Sequence, residues 1–118
     1  MTRSTGKMIT VQFKQNTHKE WVAMEASGHA LSGEYGHDLV CAAVSTLTIS
    51  LVNNIERLTG IAPIVSLDPD GGYLYMERPE GLNDNQLGIF QLLVESTYLA
   101  LSEDVAGNYA EYLTVTIS

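Results

Sequence analysis

Apolar and polar residues alternate at the start of the chain, with Ile9, Val11 and Phe13 separated by Thr10 and Gln12. A period of two predicts a strand with one buried face. Trp21-Val22-Ala23-Met24 follows the polar turn Asn16-Thr17-His18-Lys19 and predicts a second strand. The stretch from Ser27 to Asp38 then breaks every period. Its three Gly and two His predict a flexible loop. From Leu39 the spacing changes to three and four: Val40, Val44, Leu47, Leu51, Ile55 and Leu58 form one stripe of a long helix. Asp38 reads as its N-cap, Gly60 as its stop, and Pro63 follows. Ile64 to Leu67 and Tyr73 to Arg78 predict a strand pair joined by the turn Asp68-Pro69-Asp70-Gly71-Gly72. A second helix runs from Asn83 or Asp84 to about Glu103, with Leu87, Phe90, Val94, Tyr98 and Leu101 on its core face. Tyr112 to Ile117 alternates as a last strand, with Leu113, Val115 and Ile117 on one side.

The order ββαββαβ predicts an α+β, two-layer fold: a mostly antiparallel sheet with two long helices packed on one face. Leu39, Ile49 and Val52 in the first helix, and Ile89, Leu92, Leu93 and Leu99 in the second, lie outside the main stripes. One sheet face cannot cover all of them, so a homodimer is expected.

Length and composition narrow this picture further. At 118 residues the chain is read as a single domain over residues 8–118, preceded by a disordered extension or cloning-derived residues at 1–7, with Met8 a plausible natural start. Ser45, Thr46, Thr48 and Ser50 interrupt the richest apolar stretch, and no signal-peptide core is seen, so no membrane association and a cytoplasmic location are expected. The formal charge is −8, and beyond Asp70 the only base is Arg78. Such a chain repels phosphate backbones, so no direct nucleic-acid binding is expected, whereas a basic protein or peptide is attracted. A single Cys excludes an internal disulfide and a multi-Cys metal site; no cofactor and no metal are expected.

That cysteine is the first candidate for chemistry. If Asp38 caps the helix, Cys41 is the third residue of the first turn. Unpaired N–H groups and the positive end of the helix dipole there favour thiolate over thiol. The N–H groups around Val40 and Cys41 become candidates to hold an oxyanion. Ser45 and Thr48 share the helical row of Asp38 and Cys41. His29, at the start of the Gly-rich loop, is able to fold back beside Cys41, and a Cys–His pair is the activated nucleophile of acyl transfer. Plainer readings stand beside these. Cys41 reads equally as a small core residue, Gly28 and Gly33 as turn glycines, and Asp38 as a cap alone. His37, four residues before Cys41, competes with His29 for the role of base, and His18 reads as solvated.

Ser27-Gly28-His29-Ala30, then Gly33-Glu34-Tyr35-Gly36-His37-Asp38, then Val40-Cys41-Ala42-Ala43-Val44-Ser45 resemble the signature of the ribosomal-processing cysteine protease family of Firmicutes and related bacteria. Outside residues 27–45 the likeness is one of length, element order and acidity. The resemblance implies Cys41 as nucleophile and His29 as base, with Gly28, Asp38 and Ser45 in support; Gly33 belongs to the loop expected to close over substrate. It also implies a homodimer. The implied substrate is the precursor of a large-subunit ribosomal protein, the twenty-seventh, whose N-terminal extension is cut after a pair of phenylalanines for ribosome maturation. Two rivals remain at this point: an acidic homodimeric module that escorts a ribosomal protein without cleaving it, and a redox sensor built on one exposed Cys.

Overall fold

The alternation of the first strand seats the whole sheet. In the computed structural model, which describes residues 8–118, β1 (Ile9–Gln15) is an inner strand, and Ile9, Val11 and Phe13 are fully buried beneath the helices. The reading of residues 1–7 lies outside the described residues. β2 (Trp21–Ser27) pairs antiparallel with β1, placing Met24 opposite Phe13 and Ala26 opposite Val11. β3 (Ile64–Leu67) and β4 (Tyr73–Glu77) form a hairpin that docks on the other edge of β2. β5 (Leu113–Ile117) runs parallel to β1, so the strand order is β3-β4-β2-β1-β5. The two-layer α+β fold expected from the pattern is the one observed.

The helices α1 (Tyr35–Thr59) and α2 (Asp84–Leu99) pack together on the inner face. Val40, Val44, Leu51 and Ile55 of α1 are buried, whereas Leu58 is 57% exposed, because the buried face runs on from Ile55 to Thr59 in the last turn. By length and apolar composition α1 passes for a membrane span, despite its interrupting Ser and Thr. Its packing explains that composition: one face enters the core, and buried Thr48 donates its hydroxyl to the Val44 carbonyl instead of needing water. Gly60 ends α1 with φ +81°, its N–H bonded to the Glu56 carbonyl.

Asn83 begins α2 with a reciprocal capping box to Gln86. Gln91 brackets the backbone of Trp21, and the Trp21 indole N–H donates to Glu95 at 2.8 Å. Phe13 meets Trp21 and Tyr98 edge-on beneath them. The α-helix stops before the expected Glu103, passing at Ala100–Val105 into a π-helical turn that buries Leu101.

The N-terminal end of α1 departs from expectation. The helix starts at Tyr35, its N-cap is Glu34 with no side-chain cap, and Asp38 is already inside the first turn. The Asp38 carboxylate is engaged elsewhere.

Candidate active site

β2 delivers the chain to the start of α1 through Gly28, at φ +84°. A Cβ at this position would stand 2.7 Å from the Met8 carbonyl oxygen, so both the backbone angle and the space require glycine. The Gly28 N–H donates to the Gly72 carbonyl at 2.9 Å, fastening the loop to the β3–β4 turn. Gly72 in turn leaves room for Ala30: a Cβ there would lie 2.9 Å from the Ala30 methyl.

The next residues are held by Asp38. Its carboxylate accepts from the N–H of Ser32 at 2.7 Å and of Gly33 at 2.8 Å, and from the Ser32 hydroxyl at 3.3 Å. These bonds, the Ser32 N–H first, hold its carboxyl below the usual carboxylate range. Asp38 therefore caps a loop rather than the helix. Gly33, at φ +92°, makes the turn that exposes both of those N–H groups to one side chain. Gly36, expected to lie in the loop, is inside the helix.

The loop ordered in this way lies on Cys41, which is 1% exposed. Its thiol donates to the Ala30 carbonyl at 3.6 Å. Burial, with a contribution from the Asp38 charge, pushes the thiol up to about 11. The low-pKa thiolate expected from a helix start is thus overturned for this conformation. Cys41 is the seventh residue of α1, not the third, because the helix starts at Tyr35. The same shift removes the reason for choosing the N–H groups of Val40 and Cys41 as oxyanion donors. The Asp38 N–H already bonds to the Glu34 carbonyl, so those two fall inside the helical ladder.

The two candidate bases take different places. His37 is 1% exposed and lies one helical turn from Cys41, its Nδ1 3.4 Å and its Nε2 3.7 Å from the sulfur. Nε2 also stands 3.2 Å from the Gly28 carbonyl oxygen, and Nδ1 3.1 Å from the Ser32 hydroxyl. His29 is half-buried and lines a cavity of about 370 Å³ with Leu31, Ser45, Ile49, Leu67 and Leu74. Its Nδ1 is buried without a hydrogen-bond partner among the described residues, and desolvation keeps the imidazole below its ordinary pKa. Ser45 joins His29 at this cavity; its hydroxyl makes no bond to Asp38 among the described residues. His18 is exposed in its turn, as expected.

Sequence reasoning named His37 and missed one participant, the Ala30 carbonyl. The i, i+4 spacing of His37 and Cys41 pointed to their contact. The Ala30 carbonyl over the sulfur had no local signal, since it is set by Gly72 and Asp38 from outside the loop.

A cysteine on a helix beneath a Gly-rich loop carrying histidine, on a five-stranded sheet, is the arrangement that the resemblance to ribosomal-processing cysteine proteases implied, and comparison with known proteins shows the family. The profile described as cysteine protease Prp matches residues 8–114, and the chain belongs to that family. It is 36% identical over 109 residues to the ribosomal processing cysteine protease Prp of Bacillus subtilis, covering 92% of this chain and 96% of that one. A crystal structure from Streptococcus mutans superposes with a TM-score of 0.84 at 37% identity, covering 95% of each chain. The essential ribosomal processing protease Prp of S. aureus, crystallised with a substrate peptide, superposes with a TM-score of 0.80 at 29% identity, over 94% of this chain and all of that one. The chain is thus a cysteine protease, which sets aside the non-catalytic escort; burial of Cys41 weighs against the exposed redox sensor.

Proposed function

We propose that the chain removes the N-terminal extension of a large-subunit ribosomal protein, the twenty-seventh, with Cys41 as nucleophile and His29 as base. The observation that carries this pairing is the buried Nδ1 of His29, without a hydrogen-bond partner among the described residues, at a cavity shared with Ser45, one turn along α1 from Cys41. An imidazole kept neutral by desolvation is ready to take a proton. His37, by contrast, is held by Gly28, Ser32 and Asp38. The apolar wall formed by Leu31, Ile49, Leu67 and Leu74 suits a phenylalanine side chain.

An extended substrate displaces the Ala30 carbonyl from the sulfur as the loop lifts. His29 takes the thiol proton, and the Cys41 thiolate attacks the scissile carbonyl. Protonated His29 gives its proton to the leaving amine, and water then hydrolyses the thioester. Gly28 permits the loop path, Asp38 and Gly33 fix its resting position, and Ser45 lines the substrate cavity. The acidic chain attracts a basic ribosomal protein. Exposed Leu39, Leu92 and Leu99 support a homodimer, and a ribosomal substrate supports a cytoplasmic location.

The test is turnover of a peptide spanning a Phe-Phe site. The parent chain releases product after the second Phe, and Cys41→Ala, folded by circular dichroism, releases none. Cleavage by that variant at the parent rate removes Cys41 from the reaction. Light scattering in the same buffer reads the dimer.

A further inference from the structure

His37 is a buried polar group to which the proposed reaction gives no part. Its Nε2 faces the Gly28 carbonyl oxygen at 3.2 Å, and a carbonyl only accepts, so Nε2 carries the hydrogen. In the neutral ring Nδ1 is then an acceptor. It faces the Ser32 hydroxyl at 3.1 Å, the Asp38 Oδ1 at 3.3 Å and the Cys41 sulfur at 3.4 Å. The single Ser32 hydroxyl hydrogen is claimed twice, because Asp38 Oδ1 is also 3.3 Å from Ser32 Oγ. The thiol hydrogen points to the Ala30 carbonyl. Two acceptors therefore share one hydroxyl hydrogen across a part-buried contact, which a positive charge between them would strengthen.

The donor set says which kind. His37, Asp38 and Cys41 each offer one ligand atom, and these atoms lie within 4.8 Å of one another. For zinc at about 2.0–2.1 Å from N and O and about 2.3 Å from S, tetrahedral geometry sets an N–O edge of roughly 3.3 Å and an N–S edge of roughly 3.5 Å. The two edges at Nδ1 are 3.3 Å and 3.4 Å, and the third, from the Asp38 carboxylate to the sulfur, lies within 4.8 Å, so a small side-chain rotation brings the three atoms onto one ion. A thiolate with an imidazole selects a thiophilic ion over magnesium or calcium. The bond from Nε2–H to a backbone carbonyl is the usual outer support of a metal-bound histidine. We propose that His37 Nδ1, Cys41 Sγ and Asp38 Oδ1 form a binding site for a divalent zinc-like ion that blocks the nucleophile reversibly. The thiol releases its proton to solvent on binding, and two anionic ligands then balance the 2+ ion. The sulfur, lying beside the ring at 3.4 Å from Nδ1 and 3.7 Å from Nε2, turns to reach the ion, and Ser32 Oγ stands by as a fourth donor. Inhibition rests on Cys41 being the nucleophile; binding does not.

Cobalt(II) is the probe, added to the full chain and then displaced by zinc. One equivalent should produce a sulfur-to-cobalt charge-transfer band, absent from protein first alkylated at Cys41. Saturating zinc should slow iodoacetamide alkylation and peptide turnover by at least about tenfold. His37→Asn should weaken binding by about 10–100-fold, while His29→Ala keeps the band. The alkylated parent protein serves as control should His37→Asn fold poorly by circular dichroism. No band in the folded parent overturns the site, showing that a proton on Nδ1 supplies the charge instead. A band that survives His37→Asn and is lost in His29→Ala also overturns it. A band with zinc-insensitive turnover upholds the site and removes Cys41 from the reaction instead.

Discussion

The two ends of α1 are built on different principles. At the C-terminal end the capping bonds are mostly local: Gly60 turns left-handed, its N–H bonds to the Glu56 carbonyl, and the Thr59 hydroxyl bonds to the Ile55 and Ile61 carbonyls, with only the Thr59 carbonyl served from α2 by Gln86. At the N-terminal end Glu34 offers no side-chain cap, and the Asp38 carboxylate reaches backwards to hold Ser32 and Gly33. That places the Ala30 carbonyl on the nucleophile. The first end serves stability alone. The second gives up a helix cap and gains a covered thiol beside a buried His37, an arrangement that stability does not require.

The sharpest way to break this contrast is at the two histidines. His29→Ala is expected to lower kcat/KM by about 10²–10⁴-fold, the range of a lost general base. His37→Ala should cost less than His29→Ala; the opposite order in peptide turnover reassigns the base. Thiol reactivity should show the next largest effect. With the thiol pushed up to about 11, Cys41 of the free protein is thiol at neutral pH, and its thiolate fraction falls as pH falls through that value. Iodoacetamide alkylation, followed by mass spectrometry against pH, should therefore run roughly 10²-fold slower at pH 7 than for an unperturbed thiol near 8.5. A midpoint at or below 8.5 in the free protein means that the loop does not cover the sulfur in solution.

Glycine substitutions at each end give a smaller and more local comparison. Gly28→Ala combines a left-handed angle with a clash against the Met8 carbonyl and should destabilise by about 2–3 kcal/mol in urea unfolding, with loss of turnover. Gly60→Ala meets open space at φ +81° and should cost only about 1–2 kcal/mol with kcat unchanged. Equal losses of turnover would erase the distinction between the ends. The smallest effect is at Asp38. Its lowered carboxyl means that its hold on the loop is present above the ordinary carboxylate pKa and is lost as pH falls through the lower folded value. Protection of the Ser32 and Gly33 amides against hydrogen exchange, taken relative to the intrinsic rate at each pH, should then hold at pH 5 and fall only below the ordinary carboxylate range. Asp38→Asn should remove that pH dependence.

Much of this fold was legible because it rests on short-range periodicity. The alternation of Ile9, Val11 and Phe13, the α1 stripe through Ile55, Gly60 as a stop, the turn at residues 68–72 and a second helix starting at Asn83 or Asp84 are local features, and each stands where the pattern put it. Leu58 and the π-helical turn at Ala100–Val105 escaped: polar Thr59 takes the buried place in the last turn of α1, and the π-helical turn has no spacing signal of its own. The same division runs through the site. Cys41, His29, His37, Gly28 and Asp38 were all visible by type and spacing.

What the sequence by itself determined was the element order, the two-layer class and the short list of residues with chemistry to offer. Tertiary structure alone decided which group each of them serves. A carboxylate of capping type satisfies whichever N–H groups are left unpaired nearby, and here those belong to the loop at Ser32 and Gly33. A thiol on a helix is acidic or inert according to whether unpaired N–H groups or a buried carbonyl face it. The β3–β4 turn, some forty residues away in sequence, supplies Gly72 to the loop and so settles that in favour of the Ala30 carbonyl.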